Sequence, residues 1–354
     1  MQTDTLRSDK QVANWLLFGV FMLIVQILLG GITRLTGSGL SITEWDVVTG
    51  TLPPLNEQAW LNEFTKYKAT PQYRLLNTDF TISNFKFIFF WEWFHRFWAR
   101  MMGVVFAVGF VFFLAKGYFR KEMIKPLIIL FILGALQGAV GWIMVASGLV
   151  GDAVYVKPTR LALHFIMAML LLCYTFWFAL QLKVKKTYIT VDKTVFRFTI
   201  ALLVLLIIQL LFGALMAGHK AAATASTWPF IHNEWIPGTI FKDKPWFFNF
   251  IENKITIHFV HRNLAMLFII LLFAWYYFAM QVKTSILFRA TSFIPLLVVL
   301  LQALLGILTL VTAAKIVPNQ WGNFEWMAQI HQLVGMCLLL SLVWMLFLVR
   351  GKKV

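Results

Sequence analysis

The sequence predicts an all-α polytopic membrane protein, with eight transmembrane helices arranged as two pseudo-twofold-related four-helix bundles. Three observations predict it. Of the 354 residues, 60% are hydrophobic and only 13% charged, more apolar sequence than a water-soluble core needs. Eight apolar stretches are long enough to cross a bilayer, and helices are the natural form because each satisfies its own backbone hydrogen bonds in lipid. The first four stretches also resemble the last four.

The spans fall near residues 12–31, 93–115, 126–147, 160–182, 196–217, 256–280, 288–312 and 327–349. Span one carries Gln26 and Gly30, and a long outer segment, 32–91, follows it. Span two opens on an aromatic run holding Glu92, His95 and Arg96. Span three contains Gln137, Gly138 and Gly141, and span four begins near His164. Span five repeats the polar pair of span one as Gln209 and Gly213, and a second long outer segment, 218–255, follows. Span six carries His261 and Arg262, span seven Gln302 and Gly306, and span eight His331.

Basic residues set the topology. Segments 1–11, 116–125, 183–197, 281–289 and 350–354 hold 16 Lys/Arg against 4 Asp/Glu, and the alternate segments 12 against 11. The short basic set faces the cytoplasm, so both termini lie inside. The net charge of +16 is explained by this distribution and implies no nucleic acid. Trp45, Trp60, Trp91, Trp228, Trp235 and Trp246 lie in or beside the outer segments, as interfacial aromatics do. The few polar residues before span one, with Asp4 and Asp9 beside Arg7 and Lys10, do not read as a transit peptide or a cleavable signal. A bacterial plasma membrane is the simplest location. Cys173 and Cys337 fall within spans, read as small buried apolar residues, and leave no loop disulfide.

The halves correspond residue by residue. Phe94-His95-Arg96 matches Val260-His261-Arg262 at an offset of 166, Leu136-Gln137 matches Leu301-Gln302 at 165, and Leu163-His164 matches Ile330-His331 at 167. Gln26 and Gly30 match Gln209 and Gly213 at 183. Each half has an even number of spans, so the halves run in the same direction. They divide the chain at 1–182 and 183–354. Gly103, Gly109, Gly134, Gly138, Gly141, Gly213 and Gly306 are expected to let helices approach closely.

Ionisable side chains inside a bilayer are costly and ask for a reason. His95 and His164 are 69 residues apart, and His261 and His331 are 70 apart. Each lies in the first turns of an inward-running span, so all four share one depth. Two by two, they can face each other across a bundle core as axial ligands of haem iron. A zinc or copper site would draw three or four ligands into one cluster. Arg96 and Arg262 each follow a ligand candidate; propionate pairing, a phospholipid contact and an interhelical salt bridge are all open to them. His219 and His232, in the second outer segment, read as solvent-exposed or interfacial.

One position breaks the symmetry. Glu92 lies three residues before His95, on the same helical face, and the equivalent residue in the second half is His258. Glu92 either marks the water interface or supplies a carboxylate beside a bound tetrapyrrole, where it could accept a proton, orient water or stabilise charge. Two sites with different neighbours suggest different tasks, one for chemistry and one for electron transfer.

Three stretches carry a family resemblance. They are Gly30-Gly31-Ile32-Thr33-Arg34-Leu35-Thr36-Gly37-Ser38-Gly39-Leu40-Ser41, the run from Lys86 through Trp91-Glu92-Trp93-Phe94-His95-Arg96, and Gly134-Ala135-Leu136-Gln137-Gly138 with Gly141-Trp142. Together they resemble the CtaA/Cox15 family of haem A synthases over essentially the whole chain. The lack of cysteine pairs in the outer segments looks nearer the Cox15-type branch and puts any mechanism that needs a loop disulfide in doubt.

The resemblance implies oxidation of the C8 methyl of haem O to a formyl group, by successive hydroxylations and loss of water. It implies that His95 and His164 flank the substrate haem O, that His261 and His331 ligate haem b, and that Glu92 is the essential glutamate of a Glu-x-x-His motif. It implies haem O synthase and cytochrome oxidase assembly factors as partners. Membrane lipid is a further partner, and a homo-oligomer is compatible with the sequence. From the residues alone, a di-haem b electron-transfer protein linked to quinol stays open, as does a transporter or haem chaperone.

Overall fold

A computed structural model describes residues 2–44, 51–318 and 320–351, and Trp45 lies outside them. Eight helices among the described residues are long and apolar enough to cross a membrane. In chain order, α1 runs Gln2–Leu35. Two short helices follow, α2 at Glu57–Lys68 and α3 at Pro71–Leu76. Then come α4 at Ile82–Ala115, α5 at Lys121–Ala146, α6 at Pro158–Lys183 and α7 at Lys193–Gly218. The second half continues with α8 at Lys254–Ala279, α9 at Ile286–Thr291, α10 at Ile294–Thr312 and α11 at Asn323–Val349.

Local chemistry sets the helix starts. Asn56, Thr70, Thr81, Asp192, Asn253 and Ser285 each accept a hydrogen bond from a first-turn N–H of the helix that follows, satisfying donors that would otherwise be orphaned. Pro71 and Pro158 occupy the first turn, where a missing N–H costs nothing.

One boundary differs from the sequence expectation. The second span begins at Ile82 rather than near 93, so His95 lies thirteen residues into α4 and not in its first turns. The extra turns project into an outer layer that the hydropathy pattern does not show. There Phe64 and Tyr67 of α2 pack on Phe85, Ile88 and Phe89 of α4. Trp60 joins this layer, edge-on to Phe89, rather than standing free at the interface. Tyr67 donates to Gln72 at 3.1 Å and accepts from Asn77 at 2.7 Å. Burial pushes its phenol up to about 12. Lys66 bridges Glu44 and Glu63, and those carboxylates hold its ammonium pKa well above the usual lysine range.

The packing order is similar in the two halves. α1 packs on α4 and α6, and α5 on α6; likewise α7 packs on α8 and α11, and α10 on α11. The seam between the halves is built from α1, α6, α7 and α11. Leu172, Leu202, Leu342 and Met345 are almost wholly buried in the core that runs along it. Three polar ties cross the seam to backbone carbonyls. Gln329 donates to Leu28 O at 3.0 Å, Gln332 to Ile27 O at 2.8 Å, and Arg34 to Ala217 O at 2.6 Å. The Arg34 guanidinium thus sits at the C-terminal, electronegative end of α7.

The helix contacts also differ in one respect. α8 packs against α10, whereas their counterparts α4 and α5 scarcely approach each other. Cys337 is exposed on the outer surface of the bundle and Cys173 is half-buried, so the expectation that both are buried fails. A small apolar thiol is as well accommodated by lipid as by a core.

Within the first half, Trp15 of α1 lies flat across Gly109 of α4, its ring stacked on Phe106 at 5.4 Å, and a Cβ at Gly109 would fall inside the indole. Gly109→Val should therefore destabilise the α1–α4 contact by about 1–3 kcal/mol, the usual cost of overpacking. The check is a lower midpoint of thermal unfolding in detergent, with partial recovery when Trp15 is also changed to Ala.

Candidate functional site

A cavity of about 2290 Å³ runs through the bundle, from Leu127 near the start of α5 to Arg34 near the end of α1, more than twice the volume of a pocket for one small molecule, which reaches about 1,000 Å³. All four histidines line it, together with Glu92, Arg96, Arg262 and His258. The expectation of two separate enclosures is replaced by one continuous space, because α1, α7 and α11 present small or flexible residues to it along the seam.

Each histidine is seated the same way. His95 of α4 lies against Gly30 of α1, His164 of α6 against Gly141 of α5, His261 of α8 against Gly213 of α7, and His331 of α11 against Gly306 of α10. An added Cβ at these glycines would meet the imidazole Cε1 at 3.1, 2.8, 3.2 and 3.0 Å respectively. One turn before each glycine stands a glutamine whose amide reaches the same ring. Gln26 lies 3.2 Å from His95 Nε2, Gln209 3.5 Å from His261 Nε2 and Gln302 3.4 Å from His331 Nε2. Gln137 spans both nitrogens of His164, at 3.2 and 3.4 Å.

One contact selects a tautomer. A backbone carbonyl can only accept, so His331 Nδ1 donates to Gln302 O at 3.1 Å and its Nε2 carries the lone pair. An imidazole with Nδ1–H and a lone pair on Nε2 is the form that binds iron through Nε2. The Gln-x-x-x-Gly spacing stands in all four odd-numbered spans, and its link to the histidines is visible only in the helix contacts.

The buried polar atoms without a partner gather at these positions. They include Nδ1 of His95, His258 and His261 and Oε1 of Gln26, Gln137, Gln209 and Gln302. Such atoms are costly in an apolar interior, and their concentration around four glycine cradles fits a polar-centred planar group held between histidine pairs. No group of three or more His, Cys, Asp or Glu among the described residues could hold a metal ion. The residues therefore fit a haem held by pairs of imidazoles better than a multidentate metal site.

Glu92 is buried and held by four donors. Its Oε2 accepts from Ser41 N at 2.7 Å, Ser41 Oγ at 2.7 Å and Ile42 N at 2.9 Å, and its Oε1 from Arg96 at 2.5 Å. Glu92 is thus a fixed acceptor inside the protein rather than the mark of a wet interface. Its counterpart His258 is also buried, at 1% exposure.

The two arginines have partners inside the protein. Besides Glu92, Arg96 reaches Ile42 O at 3.4 Å and Glu44 O at 3.3 Å. Arg262 donates to Pro229 O at 2.6 Å and lies over the Trp228 ring at 4.9 Å. Each thus fastens the outer segment that follows the preceding odd-numbered span. The structure also adds Arg34, a cavity-lining cation at the seam that the sequence reading quoted in a motif but gave no role.

His219 departs from expectation. It caps α7 with a largely buried side chain, 2.7 Å from Ile251 O, because the second outer segment folds back over it. His232 is exposed as expected, 2.9 Å from Thr224 O.

A family model described as a cytochrome oxidase assembly protein, COX15-CtaA, matches residues 13–343. Over 345 residues the chain is 38% identical to the protein named heme A synthase of Flavobacterium psychrophilum, covering 94% of this chain and 96% of that one. It is 40% identical over 317 residues to the heme A synthase of Bradyrhizobium diazoefficiens, covering 87% and 85%. With that of Rhodopseudomonas palustris it shares 39% over 343 residues, covering 94% and 89%.

The glycine cradles give a graded expectation. Gly141→Ala, whose Cβ would crowd His164 most closely, should lower the haem bound in the first half, while Gly213→Ala should be the mildest of the four. Haem per polypeptide measured on each purified single variant checks this order, and equal retention in all four would remove the cradles from ligand positioning.

Proposed function

The chain belongs to the COX15-CtaA family of haem A synthases that serve cytochrome oxidase assembly, and from that premise we propose a division of labour between its two histidine pairs. The protein is an integral-membrane oxidoreductase that converts haem O to haem A. Residues 1–182 form the substrate half, in which His95 and His164 hold haem O. Residues 183–354 form the half in which His261 and His331 hold a resident haem b. The alternative of a di-haem b electron-transfer protein gains nothing from relatives that carry the synthase name.

The observation that carries the division is the difference between Glu92 and His258 at otherwise matching positions. Converting a methyl to a formyl group removes electrons and protons next to the macrocycle. A fixed carboxylate on the ligand helix favours positive charge developing there. The four donors on Glu92 keep the carboxylate in place, and Oε1, which takes only the Arg96 donor, is the oxygen with a lone pair left for a proton. The second half has an imidazole at this point and no carboxylate, which suits a haem that exchanges electrons without being altered. When bound, the haems supply the redox chemistry, while the chain orients them through the four imidazoles and narrows water access with the strapped outer segments.

Arg96 and Arg262 contribute first by holding those segments, and propionate contact is a second use of the same guanidinium groups. The short basic segments support a bacterial plasma membrane with both termini on the cytoplasmic side. Haem O synthase and oxidase assembly factors are the expected partners on either side of the reaction.

Extracted pigment tests the division. His95→Ala should lose haem O and haem A and keep haem b, and His261→Ala should lose haem b. Glu92→Gln should retain both haems while formyl product falls by at least about a hundredfold, the scale of one electrostatic group at a reacting centre. Mass analysis of the extracted haems reads all three. Equal loss of one haem from both histidine variants would contradict the division, and undiminished haem A from Glu92→Gln would remove Glu92 from the chemistry.

A further inference from the structure

The two halves differ most where α4 faces α5. In the second half the equivalent helices, α8 and α10, pack together; they carry Ile269, Val299 and Ala303, of which Val299 is buried. The residues equivalent by the repeat offsets are Gly103, Gly134 and Gly138. They were expected to bring helices close. Instead all three are exposed, line the cavity and have no atom within 4 Å of an added Cβ. The first half thus has a lateral slot where the second is closed.

The slot has a floor and an inner end. Toward the cytoplasmic end of the helices, Phe106 and Phe131 stack across it at 6.5 Å. Toward the outer side it leads to the ligand pair, since Gly103 lies two turns below His95 on α4, about 12 Å at the helical rise. Gly138 is flanked by Gln137, whose Oε1 is buried without a partner at that inner end, and lies three residues before the His164 cradle at Gly141. The slot is therefore one continuous space with the substrate site and is apolar except for Arg100, one turn from Gly103 toward His95 on α4.

Haem O is a haem with a long isoprenoid chain, and haem b lacks that chain. The geometry points to the α4–α5 slot as the seat of this tail, which leaves the macrocycle between His95 and His164 and passes outward to the bilayer. The inference rests on the assignment of haem O to the first histidine pair. It gives the enzyme a way to tell its tailed substrate from its tailless resident haem. The first half has room for the tail, and in the second half the equivalent positions carry Val299 and Ile269 on helices that touch. Lipid is the medium into which the tail's far end can extend without exposing apolar surface to water.

The test fills the slot with the residues of the second half. Gly103→Ile, Gly134→Val and Gly138→Ala are combined in full-length protein in phosphatidylcholine vesicles. Binding of haem O and of haem b to the first site is followed by the low-spin Soret change. The variant should bind haem O at least about tenfold more weakly, the effect of displacing a few methylenes of a buried tail. It should bind haem b at the first site as the unaltered protein does, with the His261/His331 haem retained as the sign of correct folding.

Unchanged haem O affinity, or equal loss of both haems from the first site, would overturn the slot. If the triple variant loses the His261/His331 haem, Gly134→Val alone is read by the same criteria. Failure of the underlying assignment looks different: haem O would then bind normally to His95→Ala, whatever the slot contains.

Discussion

The seating of a neutral imidazole against a neighbouring helix is the contact on which the rest of the structure depends. An imidazole in an apolar bundle needs a partner for its ring nitrogens and room for its edge. A glutamine supplies the first and a glycine one turn later supplies the second, both from the adjacent odd-numbered span. The unit occurs four times, at Gln26 and Gly30, Gln137 and Gly141, Gln209 and Gly213, and Gln302 and Gly306. It fixes how closely each pair of helices packs and where each imidazole stands in the cavity wall. The seam ties from Gln332 to Ile27 O and from Gln329 to Leu28 O lie beside two of these units. The two ligand sites are therefore held relative to one another by a few hydrogen bonds in an apolar medium, where each is strengthened by low dielectric.

On this repeated frame the halves diverge by few residues. Glu92 in place of an imidazole brings a negative charge to the first site, and the same carboxylate fastens Ser41 and Ile42 to α4. Arg96 pairs with one of its oxygens and extends the fastening to Glu44. In the second half Arg262 holds the corresponding strap through Pro229 O and Phe230 O. Glycines at 103, 134 and 138 in place of bulkier residues open the first half sideways. A duplicated scaffold of this kind can keep one site for a resident cofactor while charge and space adapt the other to a substrate.

The sequence shows the spans and ligands because lipid imposes a strong rule on both. Eight apolar stretches have one stable form in a bilayer, and four histidines at repeat-related positions cannot be explained singly. The outer layer was not legible. Phe64, Tyr67, Phe85 and Phe89 have the composition of interfacial aromatics, and nothing in hydropathy says that they stack on one another and carry α4 outward to Ile82. The glutamines were visible only as part of the repeat, since a polar residue within a span does not announce its partner. For the arginines the sequence leaves propionate, phospholipid and salt-bridge partners open, while the carbonyls they reach belong to loop residues remote in sequence. The glycines misled for a physical reason: a small residue permits close approach or leaves a hollow, and only the neighbouring helix decides which.

Electron paramagnetic resonance of the oxidised protein loaded with both haems tests the central claim most directly. Two independent axial sites should give two low-spin ferric signals of the bis-imidazole type. His164→Ala should abolish one and leave the other unchanged, and His331→Ala should do the reverse. A single signal, or the loss of both signals from either substitution, would contradict the account.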